Sequence, residues 1–127
     1  MTLVEKILAL KATPPFDGLR DNELALIASA ATQRHFAAGE TIHAGGEPLG
    51  RFHLLVHGSW ESPTAMPLPR TLGAGSLLYD LPAPLVQAGP DGAECLVIAR
   101  SHFHTVTAEC PEVLIGYLTG QADAPAS

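Results

Sequence analysis

Six histidines, two cysteines and several serines carry the residue types from which a metal centre or a nucleophile could be assembled. His53, His57 and Glu61 recur at every fourth residue, so in an unbroken strand all three would share a face and could converge on a divalent cation. Gly58 inside that run and Pro63 just beyond it argue against an unbroken strand over the whole length. His102 and His104 form a His-x-His pair, but they follow Ser101, a helix-capping type, and in a helix they would point about 200° apart. Structural or surface histidines are therefore expected, with no metal ligand set. Ser59 and Ser76 follow glycines, yet the Gly-x-Ser-x-Gly pattern of a nucleophile elbow is missing. A Ser, His and acid arrangement meets only in space, and the sequence leaves it open. Gly73-Ala74-Gly75 lacks the further glycine and the lysine of a phosphate loop and reads as a strand corner. Cys95 and Cys110 stand in no metal-ligand spacing and read as reduced, buried or half-buried thiols, a disulfide between them being weakly motivated. No catalytic residue, metal or cofactor is expected.

The elements that would position these groups follow from periodicity and punctuation. Residues 2–11 place Leu3, Ile7 and Leu10 on one helical face with Thr2 as N-cap, and Thr13-Pro14-Pro15 stops that helix. Past a turn at Phe16-Asp17-Gly18, Asp21 caps a second helix running to about Ala30, with Leu24, Ile27 and Ala28 inward. From Thr32 onward short apolar runs alternate with glycine and proline, the rhythm of consecutive short strands, roughly eight in number. Within them, Arg70 to Tyr79 reads as a strand pair around Gly73 and Gly75. Leu85 to Ala99 reads as a hairpin turning at Pro90-Asp91-Gly92. Trp60 is assigned to the core. Ser101 caps a helix to about Glu109, and Pro111 opens a last one through Tyr117. The expected fold is mainly β, a double-stranded β-helix (jelly roll) with short flanking N- and C-terminal helices. Its domain covers residues 1–120, and 121–127 are expected to be a disordered tail.

Bulk properties bound the function. With 127 residues, 46% of them hydrophobic, the chain suits one domain with a real core. Only 16% are charged, which leaves much neutral surface and hints at contact with another protein. Seven Lys and Arg against thirteen Asp and Glu give a net charge of −6, and the cations stand singly along the chain, so nucleic-acid binding is not expected. No apolar run is long enough to span a bilayer and no secretory signal is visible, so the cytoplasm is the expected location, without membrane insertion.

Four stretches, in order, carry a resemblance. They are PPFDGLRDNELALIASAA, the F-x-x-G-E-x-I-x-x-x-G run from Phe36 to Gly46, RFHLLVHGSWES around Gly58, and AECLVIARSHFHTV. Together they resemble the cyclic nucleotide-binding domain, as found in the catabolite activator protein and the regulatory subunits of protein kinase A, over about Leu8 to Tyr117. The resemblance implies a β-roll whose phosphate-binding cassette joins a Gly-x-x-x-Gly-Glu turn to a short helix and an Arg followed by a small residue and Ala. The Glu takes the ribose hydroxyl, and the Arg and backbone N–H groups take the cyclic phosphate. In this chain Gly75 reads as the first glycine, Tyr79 falls at the second and Asp80 at the Glu. The helix reads as deleted, and no Arg lies between Arg70 and Arg100.

The expected function is accordingly a non-catalytic regulatory or protein-interaction module, a degenerate member lacking the cassette, with an unidentified protein partner and no cyclic nucleotide. One alternative is a sensor for a small molecule in a remodelled, vestigial pocket at Gly75, Tyr79 and Asp80, although Asp80 by itself reads first as an exposed turn residue. A further alternative is a cupin-like metalloenzyme, although no His-x-His with a downstream Glu lies in a strand. With the chain ending soon after Tyr117, a transcription factor acting alone is not expected.

Overall fold

The computed structural model of the chain describes residues 1–63 and 67–119; the expected tail at 121–127 lies outside them. Two helices come first, α1 (Leu3–Lys11) and α2 (Asp21–Ala30), with a 3-10 turn at Phe16–Gly18 between them. Five strands follow: β1 (Thr32–Phe36), β2 (Thr41–His43), β3 (Arg51–Glu61), β4 (Thr71–Leu72) and β5 (Val86–Ala99). A short helix, α3 (Ala74–Tyr79), separates β4 from β5, and α4 (Arg100–Glu109) and α5 (Pro111–Leu118) complete the described chain.

The helices form where the sequence predicts, for the predicted reasons. Thr2 accepts from the Glu5 N–H at 3.1 Å while the Glu5 carboxylate accepts from the Thr2 N–H at 3.0 Å, a reciprocal capping box. Leu24, Ile27 and Ala28 are buried on α2, and Pro111 opens α5. Three details differ. Leu3 is half exposed, so α1 buries Leu10 and part of Ile7 rather than the full expected face. Arg20, not Asp21, is the N-cap of α2, and its backbone N–H is taken by Glu23 at 3.0 Å. The N-cap of α4 is Ala99, with Ser101 already inside the helix.

The antiparallel sheet runs in the order β1-β5-β3-β4, with β2 also paired to β5. The architecture is the expected roll with flanking helices, but five strands stand among the described residues where about eight are expected from the rhythm of the sequence. Two long strands absorb several of the short runs. The predicted hairpin at Pro90-Asp91-Gly92 does not form: residues 86–99 run through as one strand. Both of its halves find partners elsewhere, Gln87 and Ala88 with Glu61 and Trp60, and residues 93–99 with β1 and the first half of β3. The register jumps from Gly58↔Ala93 to Trp60↔Ala88, so the turn-forming residues 89–92 are taken up as a bulge without reversing the chain. Likewise the stretch Phe36–Gly46 is no hairpin with itself; β1 and β2 both lie along β5.

Alternation along β3 and β5 divides the interior into two cores. Phe52, Leu54, Leu96 and Ile98 face the helices, joining Leu10, Phe16, Leu24, Ile27, Phe103 and Val113. Leu55, Trp60, Ala93, Cys95 and Val97 face the other way into the roll, with Phe36, Leu72 and Val86.

Candidate functional site

The segment from Thr71 to Val86 is where the resemblance would place ligand chemistry, and the expected strand pair there is a helix. Gly73 has φ +108°, and a Cβ on it would lie 2.6 Å from the Arg51 carbonyl oxygen, so only glycine turns the chain here from β4 into α3. The helix is pinned at its end: Ser76 donates its hydroxyl to the Leu81 carbonyl at 2.7 Å, and the Asp80 N–H donates to Ser76 O at 2.9 Å. Asp80 itself sits at φ +57°, a left-handed cap that Asp tolerates. A short helix therefore stands at residues 74–79, where a strand pair is expected, and residues 80–85 after it carry no helix. Its inward residue Leu77 is buried in the helical core, which supplies the stability that Gly75 withholds.

Behind α3 the chain is sealed against the loop that leads into β3. The Ala83 N–H donates to Glu47 O and the Gly46 N–H donates to Ala83 O, both at 3.0 Å. The Gly45 N–H donates to His43 Nδ1 at 3.0 Å, fixing that loop. Ala83 is buried in the roll core.

The three expected ligand residues scatter over this element. Gly75 stands in the first turn of α3, Tyr79 is 56% exposed, and Asp80 is exposed at the cap. Gly75 and Tyr79 share a surface groove of about 300 Å³ with Thr71, Leu78 and Tyr117, and Asp80 does not line it. Asp80 thus has the place of a turn residue.

The roll interior is apolar. Trp60 is buried, as expected, and donates its indole N–H to Pro69 O at 2.9 Å. His53, nearer the start of β3, is buried as well, and desolvation above all pushes its pKa down to about 4, so it is neutral at pH 7. Both cysteines are free and buried; burial pushes the Cys95 thiol up to about 12 and Cys110 to about 11, which leaves neither a thiolate nucleophile. His53, His57 and Glu61 do not converge: the register slips between Leu55 and His57 and again after Gly58, leaving His53 buried and the other two exposed. No group of three His, Cys, Asp or Glu is placed to hold a metal among the described residues. Another concavity, of about 390 Å³, lies between α2 and α4 and is lined by Leu26, Ile27, Val106 and Cys110 together with Glu23 and Glu109.

No family model and no curated protein matches the sequence. Solved structures do. The regulatory domain of Toxoplasma gondii PKA, crystallised with cAMP, is 18% identical with a TM-score of 0.73, over 94% of this chain and 50% of that one. The regulatory subunit of a cAMP-independent protein kinase A from Trypanosoma brucei is 18% identical with a TM-score of 0.74, over 94% and 46%. The sensor domain of the transcriptional regulator DNR from Pseudomonas aeruginosa is 13% identical with a TM-score of 0.68, over 89% and 88%. The fold is that of the cyclic nucleotide-binding domains. The chain spans about half the length of the kinase regulatory chains it matches.

Proposed function

We propose that this chain is a non-catalytic regulatory or protein-interaction module that keeps the roll and the cassette helix but not the groups that would hold a cyclic nucleotide. The carrying observation is a pair of alanines, one opening α3 and one in the loop that follows it. If α3 is taken as the cassette helix, the Gly-Glu position read from the sequence at Tyr79 and Asp80 moves to Gly73, directly before the helix, and Ala74, which has no carboxylate. The loop behind the helix, where it calls for Arg, reads Leu81-Pro82-Ala83-Pro84-Leu85, and its central residue Ala83 packs into the apolar roll core. One charge-assisted hydrogen bond contributes about 1.5–3 kcal/mol, so losing the Arg alone weakens binding roughly tenfold to a hundredfold. The absent carboxylate at residue 74 adds to that loss. The cAMP-independent kinase regulatory subunit among the similar structures supports the reading that such a roll can serve without this ligand.

The module, residues 1–120, would act in the cytoplasm through a protein partner, without nucleic acid; no described helix is long and apolar enough to cross a membrane. Calorimetric titration of the chain with cyclic AMP, cyclic GMP and a cyclic dinucleotide tests the reading. No saturable heat is expected. Micromolar or tighter binding of any of the three would overturn it.

A further inference from the structure

The cations that stand singly in the sequence do not all stand singly in space. Thr32 of β1 and His53 of β3 both oppose Val97 of β5, Arg34 opposes Cys95, and Arg51 opposes Ala99. Directly opposed residues share a sheet face, and so do residues two apart on one strand. Arg34 and Arg51 therefore rise from the same face on either side of β5, with their strands about 10 Å apart. His102 of α4 closes a third side. The result is a recess of about 290 Å³ lined by Thr32, Arg34, Arg51, Val97, Ala99 and His102.

The recess contains no carboxylate among its lining residues, in a chain of net charge −6. The ion pairs among the described residues use Lys11 and Arg20, far along the chain, and neither Arg34 nor Arg51. Arg34 is steadied by its guanidinium lying 5.0 Å from the Phe36 ring centroid. Both arginines also act on buried His53, whose proton affinity is lowered first by burial and then by these two positive charges. Two permanently charged guanidiniums on one face repel unless an anion lies between them, and their planar forks match phosphate oxygens. The Thr32 hydroxyl is a further donor, and α4 begins at the edge of the recess with an N-cap, Ala99, that offers its first-turn N–H groups no side-chain acceptor.

We propose that this recess binds a phosphate monoester dianion between Arg34 and Arg51, at a place separate from α3. The same chemistry could arrive as free phosphate, as a small phosphorylated molecule or on a phosphorylated side chain. Amide-resolved NMR titrations of the chain with inorganic phosphate, and separately with a short phosphoserine peptide, test it at constant ionic strength against chloride. Saturable shifts confined to residues 32–34, 51 and 97–102 are expected. The exposed double substitution R34Q/R51Q should weaken binding at least about tenfold while leaving the rest of the spectrum unchanged. Tighter binding of the peptide than of phosphate would support the site and assign it to a modified protein; equal or weaker binding would support it and assign it to the small anion. Shifts matched by chloride, or an affinity unchanged in R34Q/R51Q, would overturn it. Because this variant leaves α3 untouched, any cyclic-nucleotide heat that survives in it belongs to the cassette rather than to this recess.

Discussion

The two faces of the β3–β5 ladder are built from the same strands yet hold together differently. The helix-facing side is aromatic: Phe52 stacks on Phe103 at 4.8 Å and 20°, and meets Phe16 and Tyr117 edge-on at 5.8 and 6.0 Å. The roll-facing side is aliphatic and small, with Ala83, Ala88, Ala93, Cys95 and Val97 around Trp60, and it tolerates one buried histidine. The first face fastens helices to sheet through large interlocked rings. The second packs short side chains around a single buried indole.

If this contrast is right, truncating the aromatic hub has the larger effect. Phe52→Ala should destabilise by about 3–5 kcal/mol in urea unfolding, more than Leu55→Ala on the roll side; an equal or smaller loss would break the comparison. Acid should act through the roll side. His53 has its pKa depressed from 6.5 to about 4 in the folded chain, so the unfolded chain binds the proton more tightly. Stability is then full above pH 6.5 and falls by up to roughly 3 kcal/mol as pH drops towards 4, in a window that His53→Leu should flatten. Glu5 and Glu23, whose pKa values are lowered by the backbone N–H groups of Thr2 and Arg20, act only below their ordinary 4.5 and so do not blur it. The smallest effect sharpens the seam between the halves of the ladder. At Gly58, φ is +82° and a Cβ would meet the Gly92 carbonyl oxygen at 2.1 Å, so Gly58→Ala should cost about 1–3 kcal/mol in thermal or urea unfolding.

What the sequence made legible was local. Thr2 with Glu5, Leu24 with Ile27 and Ala28, and Pro111 each announce a helix by capping or spacing, and Trp60 is core as its type suggests. What stayed hidden was decided at long range. Pro90-Asp91-Gly92 has the chemistry of a reversal, but the pairing of β5 with β1, β2 and β3 outweighs it. The helix α3 is too short to show a period and carries Gly75 in its first turn; Leu77 in the core and the Ser76–Leu81 bond make it a helix. Under the proposal that α3 is the cassette helix, the Gly-Glu position moves from Tyr79 and Asp80 to Gly73 and Ala74. Arg34 and Arg51 are seventeen positions apart in sequence, and only strand register brings them to one face.

Strand β5 is the common partner of β1, β2 and β3, and it is the last of the five strands among the described residues. A nascent chain emerging from the ribosome therefore carries β1, β2 and β3 as open edges until residue 99 is out, and must keep them from pairing with neighbours in the meantime. Closure then comes in one late, non-local step, which sets a slow pace for folding and makes this period the moment when a chaperone matters most.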